Sequence, residues 1–323
     1  MQQTKTEKNI LKKILITGGA GFIGSALAEK LSNDKSNLVV VVDNLSTGSL
    51  DNLELPKENI VFIKADINDY KDIMEIMLTW QFHYVFHYAA VVGVLRTQEN
   101  PIKVLEDIKG IENICYLSKN TGVKRVFFAS SSEVYGEPVE FPQNTTTTPL
   151  NSRIPYAIVK NLGESFLKSF NKEYGLNYTI FRLFNTYGPK QSIDFVMSKF
   201  IIAALQNKDI TIYGDGSQSR TFCYIDDNIE TCIKIAYQDL FVNNTINIGN
   251  SQEISILTLA ETIIKITKSK SKIIHVAPLD EGDMKRRCPD NSEMLNVLGR
   301  PLVKYEDGIK KILEKRDKKH LKG

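Results

Sequence analysis

The sequence predicts an α/β protein in which a doubly wound parallel sheet is followed by a smaller C-terminal α/β lobe. In the first half of the chain, short runs rich in β-branched residues alternate with stretches of helical length. Such alternation predicts a parallel sheet covered by helices on both faces. Past Asn185 the alternation ends, and a break at Gly188-Pro189 is followed by shorter, mixed elements. This second part is expected to form the smaller lobe.

The elements of the first part follow from local composition. Residues 38–43 form an apolar run without polar alternation, so we expect a strand that is buried on both faces. Thr121-Gly122 marks the end of a long helix. The other predicted strands are 13–17, 60–64, 84–88, 125–130 and 178–183, and the predicted helices are 22–31, 69–80, 100–120 and 156–174.

The second part of the chain carries weaker signals. We predict helices over residues 194–207 and 226–238, and a short strand over 210–213. Residues 214–219 read GDGSQS and are expected to form a loop. The apolar run at 245–248 is a candidate to return to the main sheet.

Composition and charge exclude several classes of protein. The 323 residues are 42% hydrophobic and 24% charged, unlike a collagen-like, low-complexity or disordered chain. The surplus of Lys and Arg over Asp and Glu is 41 − 38 = +3. So small a surplus gives no case for a nucleic-acid partner or an anionic membrane.

The expected compartment is the cytoplasm. The first residues, MQQTKTEKNILKK, are polar, and no run approaches the ~18 apolar residues that a membrane span needs. None of the four cysteines belongs to a CxxC pair. We therefore expect a reducing environment, no disulfide framework and no metal site.

Three glycines between the first predicted strand and the first predicted helix form a candidate phosphate-binding loop. Gly18, Gly21 and Gly24 suit a tight turn, a close approach to a pyrophosphate, and close packing of helix on strand. The helix start adds N–H donors and a positive dipole end. Asp43 lies 19 residues beyond Gly24, where a carboxylate binds ribose hydroxyls and repels a 2′-phosphate. The sequence thus predicts a Rossmann-type fold that binds NAD rather than NADP.

Asp66, after the third predicted strand, has two interpretations. Its carboxylate is a candidate contact for the adenine of the cofactor. Alternatively, it caps the helix that begins in Asp66-Ile-Asn-Asp. The sequence leaves both interpretations open.

Tyr156 and Lys160 lie one turn apart on a predicted helix and therefore share a face. A phenol has an intrinsic pKa of about 10, so it needs nearby positive charge to act as a base near neutral pH. A lysine one turn away supplies such charge. The preceding predicted strand ends in Ser130, Ser131 and Ser132, and ligands of such sheets bind outside the strand ends. This position makes the tyrosine and lysine a candidate catalytic pair.

Four features together resemble one family. They are the glycine loop 18–24, the segment 86–90 (FHYAA), the set Ser131, Tyr156 and Lys160, and the segment 182–189 (RLFNTYGP). The chain resembles the extended short-chain dehydrogenase/reductases over residues 13–313. Within that family it resembles the NAD-dependent nucleotide-sugar epimerase/dehydratase group. The resemblance implies NAD as cofactor and a GDP- or UDP-linked sugar as substrate.

The resemblance also implies how the chain is divided. Residues 1–185 are expected to form the NAD-binding domain, with 226–250 returning to it, and 186–323 the substrate-binding lobe. The cofactor contacts expected besides the glycines and Asp43 are Phe22, Ile23, Asn44, Asp66, Ile67, Ala89, Tyr156 and Lys160.

At the sugar, the resemblance implies a role for each catalytic residue. Tyr156 takes the proton from O4, Lys160 holds the nicotinamide ribose and tunes Tyr156, and Ser131 hydrogen-bonds O4. Glu133 stands where 4,6-dehydratases of the group carry the acid that removes the C5 proton and helps to expel water from C6. Ser132 replaces the Asp of the glucose-type enzymes, as in GDP-mannose 4,6-dehydratases and UDP-glucuronate decarboxylases. A solvated loop acid is the alternative for Glu133.

Three further residues are implied to bind the substrate. Asn185 contacts the sugar nucleotide, and Arg220 and Arg287 bind its pyrophosphate through their guanidinium groups. For each arginine alone, a surface salt bridge is the alternative interpretation.

The resemblance favours a 4,6-dehydratase that makes a 4-keto-6-deoxy sugar from an NDP-hexose or NDP-N-acetylhexosamine. A UDP-glucuronate decarboxylase is the main alternative, because segments 133–138 (EVYGEP) and 286–290 (RRCPD) resemble motifs of those enzymes. Segment 86–93, however, departs from their Ser-Pro-rich segment. A 4-epimerase and a non-catalytic NAD-binding sensor are further alternatives, although the catalytic set argues against a sensor. The nucleotide base and the C2 substituent stay open.

The resemblance finally implies a homodimer, formed by the helices predicted at 100–120 and 156–174. The apolar contacts expected there are Ile111, Ile114, Cys115, Phe166 and Phe170. Burial of these side chains in the chain's own core is the alternative.

Overall fold

The computed structural model describes residues 11–278 and 286–320. The described chain forms two compact units. The first contains the chain up to Ala90, with Ile108–Phe128 and Phe166–Tyr178. The second contains Val91–Asp107, Ala129–Ser165 and the chain from Thr179 onward. The predicted division at residue 185 stays a prediction.

The strands and helices alternate through the first half of the chain, as predicted. The strands are β1 (Lys12–Thr17), β2 (Asn37–Asp43), β3 (Ile60–Lys64), β4 (Tyr84–His87), β5 (Arg125–Ser131), β6 (Tyr178–Leu183), β7 (Thr186–Tyr187), β8 (Ile210–Tyr213), β9 (Ser219–Thr221), β10 (Cys223–Tyr224), β11 (Asn244–Ile248), β12 (Glu253–Ser255) and β13 (Ile273–Val276). The helices are α1 (Phe22–Leu31), α2 (Tyr70–Trp80), α3 (Val94–Glu99), α4 (Pro101–Thr121), α5 (Pro155–Tyr174), α6 (Val196–Leu205), α7 (Ile225–Tyr237), α8 (Ile256–Thr267), α9 (Ser292–Leu298) and α10 (Tyr305–His320).

One seven-stranded sheet has the order β11-β6-β5-β4-β1-β2-β3. Strands β1 to β6 lie in the order β3-β2-β1-β4-β5-β6, which is the doubly wound arrangement. In such sheets, ligands bind beyond the carboxyl ends of the strands. At the centre, Ile16 pairs with Val41 of β2 and with Phe86 of β4 in parallel register. Val39, Val40 and the two following valines of β2 have no exposed surface, which confirms a strand buried on both faces. The predicted fold class is confirmed.

The later part of the chain confirms one prediction and shifts another. β11 pairs in parallel with β6, so the run at 245–248 does return to the sheet. Helix α6 begins two residues later than predicted, because the Asp194 carboxylate accepts a hydrogen bond from the Ser192 hydroxyl and lies 3.4 Å from the Arg96 guanidinium. The helix ends at Leu205, before Asn207, whose φ of +52° is incompatible with a right-handed helix.

Helices α4 and α5 bury most of the side chains expected at a dimer interface. Ile111, Ile114, Cys115 and Phe170 are buried, so packing in the chain's own core is confirmed for them, while Phe166 is half-buried. The apolar side chains exposed on these helices are Ile102, Leu105, Tyr116, Ile158, Leu162 and Tyr174.

Within the ranges described above, no helix has the length and apolar character needed to cross a membrane. Cys115, Cys223, Cys232 and Cys288 are all buried free thiols.

Candidate active site

The glycine loop joins β1 to α1 through a backbone that side chains would obstruct. Gly18 has a φ of +66°, and a Cβ there would lie 2.6 Å from backbone atoms of Ala89. A Cβ on Gly24 would collide with the Gly18 carbonyl oxygen, so α1 packs directly on the loop. Gly21 is the N-cap of α1 and provides no side-chain cap. The first N–H groups of the helix therefore point, without a side-chain partner, to where an anion binds.

Asp43 is held at the end of β2 by two backbone hydrogen bonds. Its Oδ2 accepts from Ala20 N at 3.0 Å and its Oδ1 from Leu45 N at 2.8 Å. Each carboxylate oxygen keeps a second lone pair for a ribose hydroxyl. Gly48, which sequence reasoning missed, lies close beside this carboxylate, because a Cβ there would be 2.9 Å from both oxygens. Its only signal in the sequence was a Thr-Gly turn after the strand.

Asp66 does not cap helix α2, so that interpretation is wrong. The N-cap is Asp69, whose carboxylate accepts from two N–H groups of the first turn. Asp66 accepts instead from the Asn44 side-chain amide at 3.1 Å and from Asn68 N at 2.9 Å. The next residue, Ile67, is buried. A contact between Asp66 and adenine stays a prediction.

These residues fit an NAD molecule. The lack of a Cβ on Gly18 lets the loop pack directly against the Ala89 backbone, and the uncapped start of α1, at Phe22 and Ile23, favours negative charge. The fixed carboxylate of Asp43 offers acceptors to a ribose diol and repels a 2′-phosphate. The three features together match the adenosine diphosphate half of the cofactor.

Gly18→Ala is expected to weaken NAD binding by at least about tenfold, because the new Cβ forces the loop away from Ala89. Isothermal titration with NAD measures the change. Gly122→Ala is the matched control: Gly122 also has a positive φ, +74°, but no atom lies within 4 Å of the added Cβ. Equal affinities for the two variants would contradict a cofactor cradle at Gly18.

The predicted catalytic set comes together at the end of β5. Ser131 ends the strand, and its hydroxyl caps a 3-10 helix over Ser132–Tyr135. Tyr156 lies in the first turn of α5 and shares a hydrogen bond with Ser131. Lys160, one turn later, is buried; its Nζ donates to the Ala129 carbonyl at 2.7 Å and lies 5.7 Å from the centroid of the Tyr156 ring.

Protein side chains alone keep Tyr156 protonated at neutral pH. Burial and the Glu133 carboxylate raise its pKa, while the hydrogen bond to Ser131 and the Arg287 guanidinium oppose that rise. Burial lowers the pKa of Lys160 to about 8. Lys160, which was predicted to activate Tyr156, therefore loses its positive charge at a lower pH than an exposed lysine. To act as a base, Tyr156 needs a further positive charge nearby.

Glu133 and Arg287 form an ion pair inside the catalytic set. Arg287 Nη2 lies 2.7 Å from Glu133 Oε1, and the two side chains are only 9% and 19% exposed. The charges of both side chains act on the pKa of Tyr156, so the pair lies within electrostatic reach of the Tyr156 hydroxyl. Glu133 is therefore not a solvated loop acid, and Arg287 is not a surface arginine. The predicted contact of Arg287 with pyrophosphate stays a prediction.

The other predicted substrate residues lie on the segments that follow β6. The Asn185 side-chain amide donates to the Thr221 carbonyl at 3.2 Å, next to Arg220. Arg220 is half-buried on β9, and its Nη1 donates to the Ser219 carbonyl at 2.7 Å. Their contacts with a nucleotide sugar stay predictions.

A buried ion pair beneath the catalytic set was not foreseen. Arg182 on β6 makes two hydrogen bonds to Glu164 on α5, at 2.9 and 2.8 Å, and the side chains are 3% and 1% exposed. Glu164 also accepts from the Ser130 hydroxyl at 2.7 Å, and Arg182 donates to the Tyr135 hydroxyl at 2.9 Å. The pair thus anchors both ends of the segment that carries Ser131 and Glu133. The spacing of Glu164, one turn beyond Lys160 on one face, was the missed signal.

Asp107 on α4 is a second unforeseen residue. It is 7% exposed, and its Oδ2 accepts from Val91 N at 2.7 Å. Its charge opposes the effect of burial on the pKa of Lys160 and raises the pKa of Tyr156. No local sequence pattern distinguished it from a surface acid of the helix.

Comparison with known proteins gives one family and several relatives. Residues 14–249 match the NAD dependent epimerase/dehydratase family. The chain is 38% identical over 318 residues to a UDP-N-acetyl-alpha-D-glucosaminuronate decarboxylase of Bacillus cytotoxicus, covering 94% of this chain and 97% of the relative. It is 34% identical over 307 residues to UDP-glucuronic acid decarboxylase 6 of Arabidopsis thaliana, covering 92% and 86%.

A solved structure shows the same fold with ligands bound. It is the UDP-glucuronic acid 4-epimerase of Bacillus cereus in complex with UDP-glucuronic acid and NAD. It is 29% identical, with a TM-score of 0.84, and the match covers 94% of this chain and 98% of that one.

Proposed function

The chain belongs to the NAD-dependent epimerase/dehydratase family, and we propose that within it this protein is a decarboxylase of a UDP-linked uronic acid. Enzymes of this family use NAD and act on nucleotide sugars. We thus favour the decarboxylase, which was the main alternative, over the predicted 4,6-dehydratase. One observation carries it, the buried pair of Arg287 with Glu133, whose charges act on the pKa of Tyr156.

Arg287 offers a buried positive charge where the sugar reacts. A neutral hexose has no group that gains from such a charge, whereas the carboxylate of a uronic acid does. Glu133 pairs with Arg287 at 2.7 Å and thereby fixes the position of its guanidinium. Two relatives of this chain are named as decarboxylases of UDP-uronic acids, which supports the same assignment.

NAD, when bound, supplies the reversible oxidation of C4. A carboxyl group on C5 is β to a C4 ketone, so its loss as CO₂ breaks the C5–C6 bond and moves the electron pair toward O4. Tyr156 and Ser131 hold O4 by hydrogen bonds and stabilise the negative charge that develops there. The C5 carbon then takes a proton from water, which restores the C4 ketone. No base is needed to remove a C5 proton, and Glu133 is left to position Arg287.

A 4,6-dehydratase is the second candidate, because the charge of the Glu133 carboxylate acts on Tyr156. That reaction needs the carboxylate as a base for the C5 proton and as an acid for the C6 hydroxyl. Glu133 is already engaged by a guanidinium, because its Oε1 lies 2.7 Å from Arg287 Nη2.

Product analysis separates the candidates. The protein is incubated in D₂O with UDP-glucuronate, UDP-N-acetylglucosaminuronate, UDP-glucose and UDP-N-acetylglucosamine, and products are identified by NMR. The proposal predicts a UDP-pentose or its 4-keto form from a uronate, with deuterium at C5. A 4-keto-6-deoxy product from a neutral sugar would establish dehydration instead, and inversion at C4 without deuterium would establish epimerisation.

Arg287→Gln is expected to abolish the preference for an acidic sugar. The affinity for UDP-glucuronate falls by about tenfold or more, while the affinity for UDP-glucose is nearly unchanged. Equilibrium dissociation constants for both ligands test this, with Arg153→Gln, an exposed arginine, as control. Equal losses for the two ligands would place Arg287 on the pyrophosphate, as the sequence predicted.

We also propose that the protein is a homodimer of the cytoplasm. Exposed apolar side chains on α4 and α5, such as Leu105, Ile158 and Leu162, supply a surface for a second copy. Light scattering that finds only a 36.5 kDa species would contradict the dimer.

A further inference from the structure

The two arginines assigned to the substrate lie on separate segments that share one anchor. Arg220 belongs to β9, and Arg287 lies in the segment that precedes α9. Ser219 and Arg286, the residues immediately before the two arginines, both bind the carboxylate of Glu253.

The carboxylate of Glu253 makes short hydrogen bonds to both Ser219 and Arg286. Its Oε2 accepts from the Ser219 hydroxyl at 2.7 Å. Arg286 Nε lies 2.9 Å from each carboxylate oxygen, and Arg286 Nη2 lies 2.6 Å from Oε1. The Arg286 guanidinium also stacks over the Phe141 ring, 4.2 Å from its centroid. The hydrogen bonds from Arg286 lower the pKa of Glu253, so the carboxylate stays charged at neutral pH.

Each anchored residue and its arginine point in different directions. On β9, adjacent side chains face opposite sides of the strand, so Ser219 meets Glu253 and Arg220 faces away from it. Arg286 is half-exposed, whereas Arg287 is buried beside Glu133. Glu253 thus contacts the residues that precede the two arginines, and not the arginines themselves.

We propose that Glu253 is a positioning residue that sets the spacing between Arg220 and Arg287, and thereby the affinity for a ligand that spans both. The inference rests on the proposed function, in which Arg287 meets the sugar carboxylate and Arg220 the pyrophosphate. UDP-glucuronate spans both arginines, whereas UDP meets only Arg220. Loss of the contacts of Glu253 therefore weakens the binding of UDP-glucuronate more than the binding of UDP.

Glu253→Gln is the test variant, because Gln still accepts a hydrogen bond from Ser219 but loses the charge that holds Arg286. The dissociation constant of UDP-glucuronate is expected to rise by about tenfold and that of UDP by less than about threefold. The kcat changes little, since Tyr156 and Ser131 are untouched, so the effect falls on KM. A half-exposed ion pair adds little to stability, and the melting temperature is expected to stay close to that of the wild type.

Glu230→Gln is the matched control. Like Glu253, Glu230 is a partly buried glutamate paired with an arginine, Arg300, at 2.6 Å, but its pair borders neither substrate arginine. This variant is expected to bind both ligands like the wild type. Arg286→Met repeats the test from the other side, and its combination with Glu253→Gln is expected to be no worse than either change alone.

Several results would overturn the proposal. They are unchanged affinity for UDP-glucuronate in Glu253→Gln, equal losses for UDP and UDP-glucuronate, and additive effects of the two anchor variants. Binding is measured separately from turnover, so the two proposals can fail separately. A wild-type protein that binds UDP-glucuronate without releasing CO₂ contradicts only the proposed function. One that binds UDP-glucuronate no better than UDP contradicts both.

Discussion

Tyr156→Phe is expected to lower kcat by about 10²–10⁴-fold while leaving NAD affinity and the melting temperature near their wild-type values. The substitution removes only the hydroxyl that hydrogen-bonds Ser131 and that feels the charges of Glu133 and Arg287. The ring keeps its place in the first turn of α5, so the cofactor site and the packing are preserved. Turnover of UDP-glucuronate, NAD titration and thermal unfolding together measure the effect.

Tyr174→Phe is the matched control for this prediction. Tyr174 ends the same helix, is 49% exposed and loses the same single oxygen. Its activity is expected to equal that of the wild type. An active Tyr156→Phe protein would show that a group other than Tyr156 transfers the proton in the reaction. A wild type that binds NAD but turns over no nucleotide sugar would instead favour the NAD-binding sensor.

Arg182→Met is expected to lower the free energy of unfolding by about 3–5 kcal/mol. The change leaves the Glu164 carboxylate, 1% exposed, without its counter-charge, and the Tyr135 hydroxyl without its donor from Arg182. An ion pair of this kind adds little when both partners are present, but removing one leaves a buried charge uncompensated. Urea unfolding followed by circular dichroism measures the loss.

Two further variants define the cause of that loss. Lys35→Met removes a charge from an exposed pair at 3.9 Å and is expected to change stability by less than about 1 kcal/mol. The double variant Arg182→Met with Glu164→Leu removes both buried charges and is expected to be more stable than Arg182→Met alone. A single variant as stable as Lys35→Met would show that the buried pair is not what holds β6 to α5.

Local patterns predicted much of the fold. The run of valines in β2 and the glycine loop are signals carried by adjacent residues, so their structures could be read directly. The pairing of Tyr156 with Lys160 was also local, because one helical turn places both on one face. Helix ends were less accurate, because side-chain contacts such as those of Asp194 decide where α6 begins.

The pairing of Glu133 with Arg287 could not be predicted, because the two residues are distant in the sequence and only the folded chain brings them together. The same holds for the anchor at Glu253, whose partners Ser219 and Arg286 lie on separate segments. Periodicity also could not decide which apolar side chains of α4 and α5 face the core. Ile111 and Ile114 proved buried, while Ile158 and Leu162 are exposed.

The most direct test of the proposed decarboxylation follows the carboxyl carbon itself. UDP-glucuronate and UDP-N-acetylglucosaminuronate, each labelled with ¹³C at C6, are incubated with the protein and NAD in a sealed NMR tube. The account predicts that, from one of the two, the label leaves the sugar and appears as ¹³C-bicarbonate, with a UDP-linked pentose or 4-keto pentose left unlabelled. Label that stays in the nucleotide sugar with both substrates would contradict it.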